Sequence, residues 1–106
     1  MTTTASETLE IANIIRQQIG IGTLMAIGAR DLIALDENDT QRGGLRLTVN
    51  RTRLTRIDVR LRWNDTYTVE YVKINARTHE ARVVESRDEV YCDVLADVVY
   101  TLSGTR

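Results

Sequence analysis

The chain has 106 residues, room for one domain with one core. It contains no Phe and no Pro, and only one Trp and four Tyr, so its core must be aliphatic with few rings. A net charge of −1, a single cysteine (Cys92) and no run of 18 apolar residues exclude a disulfide framework and leave no stretch suited to a membrane-spanning helix. Met1-Thr-Thr-Thr has neither the basic nor the apolar region of a secretory signal, so a cytoplasmic protein is expected.

Thr4 and Glu7 have capping-box spacing, and Ile11, Ala12, Ile15 and Ile19 then recur at helical spacing. A helix is expected from about Ala5 to Ile19, ended by Gly20 and Gly22. Residues 1–4 are expected to be flexible. Thr23–Gly28 and Asp31–Leu35 are two short apolar segments with Gly28 as the bend. They fit a tight hairpin or one bulged strand, with a short helix over 29–35 as the competing reading. Residues 36–44 form a polar, mobile loop, after which Leu45, Leu47 and Val49 alternate with Arg46 and Thr48 as a half-buried strand.

Residues 56–75 organise the rest. Ile57, Val59, Leu61 and Trp63 alternate with Asp58, Arg60 and Arg62, and a second arm alternates through Tyr67, Val69 and Tyr71. This pattern predicts a long β-hairpin. A three-residue loop at 64–66 would oppose Trp63 to Tyr67, Leu61 to Val69, Val59 to Tyr71 and Arg60 to Glu70, pairing rings and opposite charges. A turn over 75–80 holds His79, and Ala81–Glu85 reads as a last short strand. Ser86 and Glu89 then have capping-box spacing, and Val90, Tyr91, Val94, Leu95, Val98, Val99 and Leu102 make one helical face. A helix is expected from about Arg87 to Ser103. The fold class that follows is α+β: one domain over 1–106, with an antiparallel sheet built on the central hairpin and covered on one face by an N-terminal and a C-terminal amphipathic helix.

Chemistry-bearing residues are sparse. One Cys and one His cannot supply a zinc site, and nothing in the pattern brings His79 to Cys92 as base and nucleophile. Gly20-Ile-Gly22 follows a helix where a dinucleotide loop would follow a strand. Glu89, Asp93 and Asp97 would form one stripe on the expected last helix, more simply a solvated face than a cation site. No metal, no cofactor and no catalytic residue are therefore expected. The strongest lead is the run Arg42, Arg46, Arg51, Arg53, Arg56, Arg60 and Arg62, opposed within that span only by Asp58 and so carrying a local charge of +6. Guanidinium forks suit phosphates and carboxylates. Arg46, Arg51, Arg53, Arg56, Arg60 and Arg62 are the candidate residues for nucleic-acid or anion binding; the plainer alternative is a solvated face with cross-strand partners such as Glu70.

Several stretches resemble a group of small, functionally uncharacterised proteins of phages, prophages and mobile elements. They are Gln18-Ile-Gly through Leu24-Met-Ala-Ile-Gly-Ala-Arg, Leu45-Arg-Leu, Ile57-Asp-Val-Arg-Leu, Tyr67-Thr-Val-Glu-Tyr and Val90-Tyr-Cys-Asp-Val-Leu. Arg30-Asp31 stands where the group has a lysine or asparagine pair, and Leu102-Ser-Gly-Thr-Arg106 where it has an aromatic-rich tail. The resemblance implies only a phage or mobile-element accessory protein. With no catalytic constellation and a charged sheet edge, the expectation is a non-enzymatic protein of the host cytoplasm that binds a host or phage partner, as a regulator or an inhibitor of host defence. Self-association as a homodimer, through an open sheet face or a strand edge, is the related expectation. Nucleic-acid or nucleotide binding is the alternative from a different class.

Overall fold

In the computed structural model, which describes residues 5–104, the chain runs α1 (Ala5–Ile19), α2 (Ile21–Ala26), β1 (Arg30–Leu35), β2 (Gly43–Thr48), β3 (Thr55–Leu61), β4 (Tyr67–Ile74), β5 (Ala81–Val90), a 3₁₀ turn (Cys92–Val94) and α3 (Leu95–Leu102). The Thr4 half of the expected capping box and the flexible start at 1–4 fall outside the described residues. The five strands form one antiparallel meander in the order β1-β2-β3-β4-β5. α1 and α3 pack on one face of it and on each other. The architecture is thus the α+β sheet with two covering helices that the alternation in the strands predicts.

Strand alternation builds the core. Leu45, Leu47 and Val49 with Ile57, Val59, Val69 and Tyr71 turn inward, and Ala12, Ile15 and Ile19 of α1 meet them. Leu95, Val99 and Leu102 of α3 complete the layer. Burying a side chain of this size contributes roughly 1.5–3 kcal/mol, and this holds α3 despite the β-branched stiffness of its two valines, Val98 and Val99.

Several expectations are corrected. Residues 21–26 are helical, and the strand lies over Arg30–Leu35, so the short helix precedes Gly28 where the alternatives put it after or omitted it. Gly20 (φ +84) ends α1, whereas Gly22 lies inside α2. The β3–β4 loop is Trp63–Asn64–Asp65, one residue earlier than expected. Arg62 N–H donates to the Thr66 carbonyl (2.8 Å), Asp65 N–H donates to the Arg62 carbonyl (3.1 Å), and Asp65 has φ +66. This is a type I turn followed by a left-handed residue, a common three-residue hairpin. The register becomes Leu61↔Tyr67, Val59↔Val69, Ile57↔Tyr71 and Arg60↔Thr68. Moving the loop by one residue shifts the pairing by two, so every side chain keeps its face.

The largest correction is at 86–94. The expected helix from Arg87 is instead the second half of β5, which pairs with β4 through Ser86↔Glu70, Arg87↔Val69 and Val90↔Tyr67. The helix proper starts only at Leu95. β4 is buried on both faces, Val72 and Thr68 included, so it requires a full-length neighbour beyond β3. That pairing outweighs the local capping-box spacing of Ser86 and Glu89. Glu89 instead has φ +54, beside one of the two register shifts in the β4–β5 pair.

The β1–β2 connection is closed by Asn38, whose Oδ1 accepts Thr40 N–H (2.8 Å), Thr40 Oγ1–H (2.8 Å) and Gln41 N–H (3.1 Å). Gly43 and Gly44, expected in that loop, already belong to β2. A Cβ on Gly44 would collide with the Val59 carbonyl, so only glycine lets β2 pass β3 there.

Candidate functional site

The meander puts the β1–β2 and β3–β4 loops at one end of the sheet. The α2–β1, β2–β3 and β4–β5 connections lie at the other, a strand length or about 23 Å away. The seven arginines of the basic run therefore separate into three groups.

The central group lies on the face that no helix covers. Here β3 opposes Asp58 to Arg46 on β2 and to Glu70 on β4. Two carboxylates directly opposed are unfavourable, and three guanidinium groups offset them. Arg46 grips Asp58 with both prongs (Nε–Oδ1 2.9 Å, Nη2–Oδ2 3.1 Å). Arg56 and Arg60 approach the same carboxylate at 3.5 and 3.7 Å. Arg60 also donates to Glu70 Oε1 and to Gln41 Oε1, each at 2.7 Å. The Asp58 side chain is only 1 % exposed although it points away from the helices, because the arginine stems close over it. Arg56 Nε is buried without a hydrogen bond. Three cations against two anions leave this cluster near neutrality. Its arrangement fixes register: a one-residue slip would drive Asp58 into the aliphatic layer.

The second group is at the hairpin end. Arg42 pairs with Asp65 (2.7 Å) in a solvent-exposed bridge worth little, and Arg62 closes the β3–β4 loop through its backbone. Trp63 is 51 % exposed, with its indole N–H donated to the Asn38 carbonyl (3.2 Å). Tyr67 and Tyr71 are in the core, so the rings do not interleave with the arginines of the open face. Tyr67 donates its hydroxyl to Gln18 Oε1 (2.7 Å). Burial pushes the Tyr67 phenol above its ordinary value; proximity to Cys92 adds to this and the Gln18 bond opposes it.

The third group, at the far end, holds Arg51 and Arg53 in the β2–β3 loop. They are joined by Arg30, which sequence reading passed over because it lies outside the basic run; the pairing Arg30↔Thr48 brings it in. Asn50 (φ +59) and Arg51 (φ +57) are successive left-handed residues, and Thr52 N–H reaches back to the Val49 carbonyl (3.3 Å). Such a turn favours Asn-Gly; a left-handed arginine costs about 1–2 kcal/mol. Asn50 is anchored at both ends, its N–H to the Ile27 carbonyl (2.8 Å) and its Nδ2 to the Ser103 carbonyl (2.8 Å). The Arg51 stem lies against Gly28, at a spot 3.0 Å from where a Cβ on that glycine would stand.

The remaining candidates stay apart. His79 is in the β4–β5 turn and Cys92 follows the far end of β5, ten residues of strand away. Glu89, Asp93 and Asp97 fall on a strand, a 3₁₀ turn and a helix, so the acidic stripe does not form. Among the described residues no cluster of three His, Cys, Asp or Glu is placed to hold a metal, and no helix is long and apolar enough to cross a membrane. No family model, curated protein or solved structure matches the chain.

Proposed function

We propose that the chain is a non-enzymatic accessory protein of the phage or mobile-element kind, acting by binding a protein partner through the sheet face that the helices leave open. One observation carries this reading: both long helices pack on the same face, and the opposite face is a stiff platform with an ion-paired centre and apolar flanks. Ile33, opposite Arg46, is 55 % exposed and Val83, opposite Val72, is 49 % exposed. A paired, near-neutral centre between apolar flanks suits a protein surface, which must desolvate against it, better than a polyanion. The partner is a host or phage protein or a second copy of the chain.

The test is a double substitution, Ile33→Asp with Val83→Asp. Wild-type protein is expected to retain a defined partner from host lysate, or to run as a dimer in light scattering, and the variant to lose it with an unchanged melting temperature. A monomer that captures nothing, or a partner indifferent to both substitutions, overturns the reading.

The alternative, nucleic-acid binding by the arginine-rich sheet face, is disfavoured by the engagement of Arg46, Arg56 and Arg60 with Asp58, Glu70 and Gln41. Anisotropy with labelled DNA and RNA at about 50 and 200 mM salt separates the two, since phosphate contacts weaken steeply with salt.

A further inference from the structure

Where α2 turns into β1 and β2 turns into β3, Arg30, Asp31, Thr48, Arg51, Thr52 and Arg53 line a polar concavity of about 340 Å³. Three guanidinium groups face one carboxylate there. Among the described residues none of these three arginines takes part in an ion pair, in contrast to those of the open face. A second concavity of about 360 Å³ shares Arg30 and Arg51 with the first and is otherwise walled by Leu24, Met25, Gly28 and Ala29. The corner therefore joins a cationic half to an apolar half.

Two features show that the Arg51 side chain is held there at a cost to the backbone. It occupies the second left-handed position of the turn, where glycine would reverse the chain without strain. Its stem crosses Gly28, itself at φ +65, in space that a larger residue would fill. Unfavourable backbone held in place by its surroundings is a mark of functional positions, and here the surroundings are the two Asn50 anchors. Thr52 Oγ1 accepts the Leu54 N–H (3.2 Å) and keeps its own proton to donate; Thr48 has given its proton to the Arg30 carbonyl (3.0 Å).

We propose that this corner binds a phosphorylated small molecule with a flat apolar body, of which a nucleoside monophosphate is the simplest. Arg30, Arg51 and Arg53 take the phosphate, with bidentate guanidinium contacts and the Thr52 hydroxyl fixing its oxygens. The ring lies on Leu24 and Met25, where Gly28 and Ala29 offer little side chain to obstruct a plane and the thioether suits a π-system. This site is separate from the open sheet face and stands or falls independently of it.

The experiment is calorimetric titration of the full chain with AMP, CMP, adenosine, inorganic phosphate and a ten-nucleotide single strand, with amide chemical-shift mapping of the wild type. AMP or CMP is expected to bind at least about tenfold more tightly than adenosine or phosphate, with shifts centred on residues 24–30 and 48–53. Arg53→Ala and Arg51→Gly should each weaken binding about tenfold or more, with the melting temperature of Arg51→Gly equal to or above wild type. Arg51→Lys, which keeps charge but not the fork, should fall between. Phosphate binding as well as AMP, adenosine binding as well as AMP, shifts elsewhere, or no binding of any probe at millimolar concentration would overturn the proposal. So would a ten-nucleotide strand that binds far more tightly than AMP, which would make the corner part of a nucleic-acid track. A melting temperature and affinity that fall together in Arg51→Gly would mark Arg51 as a structural strut and overturn it too.

Discussion

The central arginines and two of the three corner arginines, Arg51 and Arg53, come from one basic run, yet the two groups sit in opposite circumstances. Arg46, Arg56 and Arg60 close over a buried carboxylate and are themselves largely covered. Arg30, Arg51 and Arg53 are exposed and face one exposed aspartate, with Arg51 itself in a strained turn. Charge density along a sequence is therefore not charge density in space. In a meander, residues a few positions apart on a strand share a face, while those in successive loops are sent to opposite ends.

Substitutions can break that comparison, and the largest effect is expected at Asp58. Asp58→Asn leaves three guanidinium groups with Glu70 alone. Removing one partner of a buried pair costs about 3–5 kcal/mol; the arginines' partial exposure to water reduces this to roughly 2–3 kcal/mol, measurable by urea denaturation. Next is Asn50→Ala, which removes the bond to the Ser103 carbonyl and puts alanine in a left-handed conformation. A loss of about 1–2 kcal/mol is expected, with hydrogen exchange rising in the β2–β3 loop first. Tyr67→Phe should lose about 1 kcal/mol at neutral pH with the Gln18 bond. It should also change the alkaline limb. Because the folded phenol titrates above its unfolded value of 10.0, its contribution is complete below pH 10 and is lost as pH rises through the folded value. The wild type should therefore destabilise above pH 10 more steeply than Tyr67→Phe. The smallest effect belongs to the corner: Arg53→Ala should alter stability by no more than about 0.5 kcal/mol. A large loss there would erase the distinction between the two groups.

The inward faces were legible in the sequence because alternation records parity alone. Ile57, Val59, Val69 and Tyr71 reach the core although the loop between their strands sits one residue from its expected place. The segment 86–94 was not legible. Ser86, Glu89 and the valines satisfy a helix start locally, and the need of Tyr67–Ile74 for a second neighbour is a long-range fact. Thr23–Gly28 is too short for its apolar residues to separate a helical period from a strand period. At the site, Glu70 was legible as a partner of Arg60, whereas the gathering of Arg46, Arg56 and Arg60 on Asp58 was not, since it depends on register. Arg30 carried no signal, being cationic in isolation until β1 folds against β2.

The strand order has a consequence for how the molecule assembles. Every strand pairs with its sequence neighbour, so the sheet closes through four short connections and no crossover. The entropy lost in closing such loops is small and grows slowly with their length. Low sequence separation between partners places the domain toward the fast end for its class. On the ribosome, α1, β1 and β2 can dock before β5 is made, and the last pairing, Tyr67 with Val90, must await nearly the whole chain. The edge strand β5 and the helix that follows it are thus the elements whose completion converts a nascent hairpin stack into a closed domain.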